Sequence, residues 1–150
     1  VKLLIPPPIV AALCGLAMWS LDEALPELHF TFPFQPVLAC SLIAAGIVID
    51  LVSIAAFRRA RTTVTPLSPE KASKLVVGGL YNFTRNPMYL GMVVLLSGVA
   101  VWLGSAAGFA IIVIFAAYIT RFQIIPEEER LEAIFGDQFR SYRQRVRRWI

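Results

Sequence analysis

Arg85, Glu127 and Glu128 are the residues of this chain best suited to do chemistry, because each stands in a polar block at one end of a long apolar stretch. The first block reads Gly78-Gly79-Leu80-Tyr81-Asn82-Phe83-Thr84-Arg85-Asn86-Pro87-Met88-Tyr89-Leu90-Gly91. The second begins Pro126-Glu127-Glu128-Glu129-Arg130-Leu131 and continues through Phe135-Gly136-Asp137-Gln138-Phe139-Arg140-Ser141-Tyr142-Arg143-Gln144-Arg145-Val146. An arginine orients a carboxylate through its rigid fork; a glutamate holds a cation or accepts a proton. Tyr81, Phe83, Tyr89, Phe139, Tyr142 and Trp149 add flat faces in the same zone. Together these groups suit an adenine ring, a ribose and an amino-acid head group. Gly78-Gly79 lets backbone approach a ligand closely, but no GxGxxG element and no preceding strand pattern accompany it, which excludes a Rossmann site.

Each group also has a plainer role. Arg85 can snorkel to a lipid surface, the three glutamates complement a helix dipole, and aromatic residues belong to interface belts. Asn86 suits a helix N-cap, and Pro87 suits the first helical turn.

The elements that must position these residues are membrane helices. Hydrophobic residues make up 57% of the 150-residue chain and its mean hydropathy is +0.69, above the 45–50% or so of soluble domains. A spanning helix needs about 20 mostly apolar residues. Four segments qualify: 4–21, 36–57, 87–103 and 106–122. The expected fold is therefore all-α and integral to the membrane, with residues 1–150 forming one domain. The segment 4–21 lacks a clean small-residue cleavage site and is read as a retained span. Gly104-Ser105 allows only a tight turn, so the third and fourth spans form an antiparallel hairpin that returns both polar blocks to one membrane face. An Arg–Glu pairing across its mouth is then reasonable.

Charge sets the orientation. With Lys2 and the segments 58–86 and 121–150 on the cytosolic side, all 14 Lys and Arg fall there. The 22–35 loop holds Asp22, Glu23, Glu27 and His29 and no Lys or Arg. This partition predicts an N-in, C-in topology. The net charge of +4 then reflects orientation and anionic lipid rather than nucleic acid. Cys14 and Cys40 are small packing residues within spans, and no Cys/His pattern suggests a metal site. His29 sits on the face opposite the motifs.

The linker 58–77 is turn-rich, with a short surface helix expected from Ser68-Pro69. After Phe122, apolar residues recur every three or four positions, predicting an amphipathic cytosolic helix begun by Pro126 and kinked or broken at Gly136. Gly104 and Gly108 have GxxxG spacing, read as close helix packing. Asp50, an acid inside the second span, is a functional suspect by its position, or else a partner for Arg58 or Arg85.

The set Gly79-x-Tyr81, Arg85-x-Pro87-x-Tyr89-x-Gly91, apolar hairpin, Glu127-Glu128-x-x-Leu131, Phe135-Gly136-x-x-Phe139-x-x-Tyr142 and Arg145-Val146 resembles the isoprenylcysteine carboxyl methyltransferase family, part of a wider group that includes phospholipid methyltransferases. The resemblance covers about half the chain, and residues 74–149 would be its cofactor-binding half. It implies S-adenosylmethionine as methyl donor and a lipid or lipophilic small-molecule acceptor entering from the bilayer. It implies that Arg85, Asn86, Tyr89, Glu128, Tyr142 and Arg145 line or support the donor pocket, with Gly79, Leu80, Tyr81, Pro87 and Glu127 in the same matching pieces. Many members carry His at the position of Asn86, and Asn cannot act as a base near neutral pH. Arg85 and Glu128 are the expected catalytic residues: Arg85 orients a carboxylate of donor or acceptor, and Glu128 accepts a proton if the acceptor is an amine. Two other readings compete. One is a sterol-reductase-like enzyme using NADPH; the other is a non-catalytic scaffold holding anionic lipid through its basic tail. A compact chain of this kind is expected in a prokaryotic plasma membrane, its site facing the cytosol.

Overall fold

A computed structural model describes residues 5–60 and 74–150. Lys2 and the surface helix expected from Ser68 lie outside the described residues. Among the described residues six α-helices carry the fold: α1 Pro7–Ala24, α2 Gln35–Ala60, α3 Pro87–Leu103, α4 Ala106–Ile119, α5 Ile125–Phe135 and α6 Asp137–Arg145. Short 3-10 turns occupy Pro26–Leu28 and Gly79–Asn82, and a π-helical turn, Thr120–Ile124, joins α4 to α5. Among the described residues there is no strand, only an isolated bridge between His29 and Ser105.

Two of the four expected spans are long and apolar enough to cross a membrane: α2, with 26 residues, and the unbroken run Ala106–Phe135, with 30. The other two are shorter, α1 at 18 residues and α3 at 17. The outer faces of α2 and α4 leave Val48, Leu51, Val113 and Ile114 exposed, apolar side chains that water disfavours and lipid accepts.

α3 is the central helix. Its hairpin partner is α4, joined through Gly104 at φ 69°. Only a residue free of a Cβ takes that conformation without strain. The Ser105 N–H reaches the Ala100 carbonyl (3.1 Å) and the Gly104 N–H the Val101 carbonyl (3.1 Å), which closes the helix end. The longest seam of α3, however, is with α2. There a Cβ placed on Gly46 would stand 2.6 Å from the Gly91 carbonyl oxygen and 2.7 Å from the Leu95 nitrogen, and one on Gly98 would stand 2.8 Å from the Ile43 nitrogen. Glycine at these positions brings the two backbones into contact. On the other side of α3, Met18 of α1, Leu96 and Ala100 of α3 and Phe115 and Ile119 of α4 close a packed core. Gly108 rests on Ala100 within the hairpin.

The tail departs from expectation at its start and agrees at its break. Pro126 does not begin a separate helix; α4 and α5 run on as one rod. Proline has no N–H and its ring crowds the preceding turn. The wider π turn absorbs this, with the Ile125 N–H bonded to the Thr120 carbonyl five residues back. Gly136, at φ 50° and ψ −121°, ends α5. The apolar side of α6 then folds inward. Phe139, Tyr142 and Val146 pack with Tyr81, against Phe57 of α2 and Leu131 and Phe135 of α5, and the Phe57 ring meets Tyr81 edge-on at 5.5 Å.

Candidate functional site

At the start of α3 the chain bends at Arg85 and enters the helix at Pro87, whose fixed φ suits a first helical position. This puts Arg85 beside the positive end of the helix dipole, an unfavourable place for a cation. Glu128 of α5 answers it. Arg85 Nη2 lies 2.8 Å from Glu128 Oε1, with the two side chains only 9% and 10% exposed. The other carboxylate oxygen is held by Arg148, at 2.7 Å from Nη2, and Arg148 Nε donates to Oε1 at 3.2 Å. Glu128 is thus shared by two guanidiniums. Burial lowers the pKa of Arg85, opposed by the Glu128 charge, while the hydrogen bonds to Glu128 raise that of Arg148. Arg85 Nε is buried with no partner among the described residues, a cost of about 1–3 kcal/mol unless something meets it.

Arg148 belongs to a strap, residues 147–149, that crosses the start of α3 after α6 has ended. The Arg85 N–H donates to the Arg147 carbonyl (3.0 Å). Thr84 Oγ1 and Asn86 Nδ2 donate to the Arg148 carbonyl at 3.2 Å and 2.9 Å. Trp149 Nε1 donates to Thr120 Oγ1 in the π turn at 3.1 Å.

The helix that delivers Glu128 turns from apolar to charged at this level. About 20 residues from Ala106 are enough to cover about 30 Å, the thickness of a hydrocarbon core, and the glutamates follow that stretch in the chain. Glu127 is partly buried and accepts a hydrogen bond from the Tyr89 hydroxyl at 2.7 Å. Burial pushes its carboxyl up to about 7, with the Tyr89 bond and Arg130 opposing and the Glu128 charge adding to the rise. The Tyr142 hydroxyl donates to the Tyr81 carbonyl at 2.7 Å, which ties α6 to the Gly79–Asn82 turn; burial raises both phenols.

The structure therefore brings together Tyr81, Arg85, Asn86, Pro87, Tyr89, Glu127, Glu128 and Tyr142. Gly79 and Leu80 form the turn beneath Tyr81, and Gly78 and Gly79 face open space. Arg145 stands apart: it is exposed, and its Nε donates to the Ser141 carbonyl of its own helix. Asn86 occupies the N-cap position, but its side chain makes no capping bond and holds the strap instead. Asp50 pairs with neither Arg58 nor Arg85; its Oδ1 is buried against Gly91 with no partner among the described residues. Phe83 is 76% exposed. The sequence reading missed Arg148 as a partner of Glu128, along with Thr84 and the strap carbonyls. One of two adjacent arginines after a basic helix carries no spacing signal, and backbone acceptors carry none at all.

Comparison with known proteins places the chain in a family. The family model of phospholipid methyltransferases matches residues 34–138, which include α2, the hairpin, Arg85 and both glutamates. An uncharacterised protein of Haemophilus influenzae (strain ATCC 51907 / DSM 11121 / KW20 / Rd) is 43% identical over 63 residues, which make up 42% of this chain and the whole of that relative. No solved structure matches. With a match across more than half of its length, the chain belongs to the phospholipid methyltransferase family.

Proposed function

We propose that this protein transfers a methyl group from S-adenosylmethionine to a lipid or small lipophilic acceptor at the cytosolic face of a membrane. The observation that carries the reading is the buried Arg85–Glu128 pair at the mouth of the α3–α4 hairpin, in a chain of a methyltransferase family. The donor bears an α-carboxylate, an α-ammonium and an adenine ring, and the residues present fit them. Arg85 has a buried Nε–H in need of an acceptor, Glu128 is a seat for a cation, and Tyr81 lies beside the open space at Gly78 and Gly79.

A sulfonium donor supplies a methyl group that is already activated. The chain's own residues then have three tasks. Arg85 and Glu128 fix the amino-acid end of the donor, where orientation is worth most. The tail cluster of Tyr81, Phe139 and Tyr142 keeps water out. Glu127, with a carboxyl at about 7 and held by Tyr89, takes the proton released by an amine or hydroxyl acceptor. Glu128 is less suited to that step, because both of its oxygens face guanidiniums. A carboxylate acceptor would need no base.

We infer four spans with both termini cytosolic. The partition of Lys and Arg supports this. So does the bond from Gln123 Nε2 to the Ile5 carbonyl at 2.6 Å, which joins the start of α1 to the π turn at the Arg85 end.

Calorimetric titration of the detergent-purified protein with S-adenosylhomocysteine tests the reading, followed by transfer of a labelled methyl group into a lipid extract. Saturable binding, lost in Glu128→Gln while that variant stays folded, is expected. A folded wild type that shows no binding overturns the proposal.

A further inference from the structure

We propose that the Arg148 guanidinium is an internal cation competing with the donor's α-ammonium for Glu128. The inference rests on the donor reading above and concerns how that same site is kept before the donor arrives.

Glu128 meets two guanidiniums that differ in kind. Arg85 lies behind it, 9% exposed, with its Nη1 donating to the Arg143 carbonyl at 3.3 Å and its backbone N–H to Arg147. Arg148 lies in front, 37% exposed, and grips the carboxylate through Nε and Nη2 together. That fork fills the outer side of Glu128, where a ligand ammonium would have to sit. The strap backbone is anchored by other groups: Thr84, Asn86 and the Arg85 N–H hold its carbonyls, and Trp149 holds Thr120. The Arg148 side chain can therefore swing into solvent while the strap stays in place. One cation leaves the seat as another enters, so the charge around Glu128 is unchanged. The two partners exclude each other, and donor affinity is reduced by whatever the Arg148–Glu128 pair is worth.

The test is calorimetry on wild type, Arg148→Gln and Arg148→Lys with two ligands. S-adenosylhomocysteine carries the α-ammonium; 5′-methylthioadenosine lacks the whole amino-acid end. S-adenosylhomocysteine should bind Arg148→Gln about tenfold more tightly than wild type, the factor for a partly exposed, charge-assisted pair. Arg148→Lys, which keeps the charge but not the fork, should fall between. Methylthioadenosine should bind all three alike. Thermal melting of each variant checks that it is folded, and if Arg148→Gln is not, Arg148→Lys carries the test. Unchanged or weaker binding of S-adenosylhomocysteine by the variants overturns the inference and leaves the donor reading standing. Equal tightening for both ligands also overturns it, since that would mean a generally looser site. Failure of S-adenosylhomocysteine to bind wild type or any folded variant overturns the donor reading and the inference with it.

Discussion

The two ends of the α3–α4 hairpin are closed by different chemistry. At the Gly104 end the ties are neutral and end on backbone. The Phe30 N–H meets the Gly104 carbonyl at 2.7 Å, Gln35 Nε2 meets the Val101 carbonyl at 2.7 Å, and Phe30 stacks with Phe32 and Phe109. The contact of His29 Nδ1 with Asp22 Oδ1, at 3.3 Å, is exposed. At the Arg85 end a carboxylate and a guanidinium are buried side by side, and a second arginine closes over them. Neutral bonds to carbonyls would have closed this end as well. Burying ions costs several kcal/mol each before their attraction is counted, and such a cost is commonly met where a ligand needs the charges.

That contrast can be broken in several places. The largest effect should come from Glu128→Ala, which strands the Arg85 charge and should cost about 3–5 kcal/mol of stability, read by melting in detergent. The double variant Arg85→Met with Glu128→Met should recover most of that loss while donor binding stays absent. If binding survives in the double variant, the pair is structural, like the Gly104 end. Next in size is Gln35→Leu, which removes bonds to Val101 and from the Phe32 N–H. It should cost about 1–2 kcal/mol and leave donor affinity unchanged; a change in affinity would mean that the two ends are coupled.

A smaller effect concerns pH. Glu127 keeps its proton up to about 7 in the folded protein, against 4.5 ordinarily. Between those values the folded state binds more protons than the unfolded one, so this group's contribution to stability is lost as pH rises from about 5 to about 7. Glu127→Gln should flatten that part of the melting profile and melt higher than wild type at pH 8. An unchanged profile would show that Glu127 is not desolvated. The smallest effect belongs to Phe34, 81% exposed and at φ 64°. Phe34→Gly relieves a left-handed backbone at an added cost in chain entropy, so stability should change by less than about 1 kcal/mol and binding not at all.

Sequence order was enough to foresee the mouth of the hairpin. Once Gly104-Ser105 forces a tight turn, residues near 87 and 126 must return to one level, and Arg85 and Glu128 are the opposite charges found there. The Gly136 break was legible for a similar local reason. What lay beyond reach depended on chain folding over long separations. Arg148 reaches Glu128 only because α6 packs onto Tyr81 and sends the strap back across α3. Asn86 looks like a cap from its type and position, yet it bonds a carbonyl 62 residues away. Pro126 reads as a helix start, and nothing local says that a π turn will let the rod continue through it.

The glycine seam between α2 and α3 bears on traffic through the bilayer. Where Gly46 meets Gly91 and Leu95, and Gly98 meets Ile43, not even a methyl group has room. A methylene chain is wider than that gap, so no acyl or prenyl tail can thread between these two helices at those levels. For a lipid the α2–α3 wall is shut, and any side door to the Arg85 end has to open elsewhere around α3.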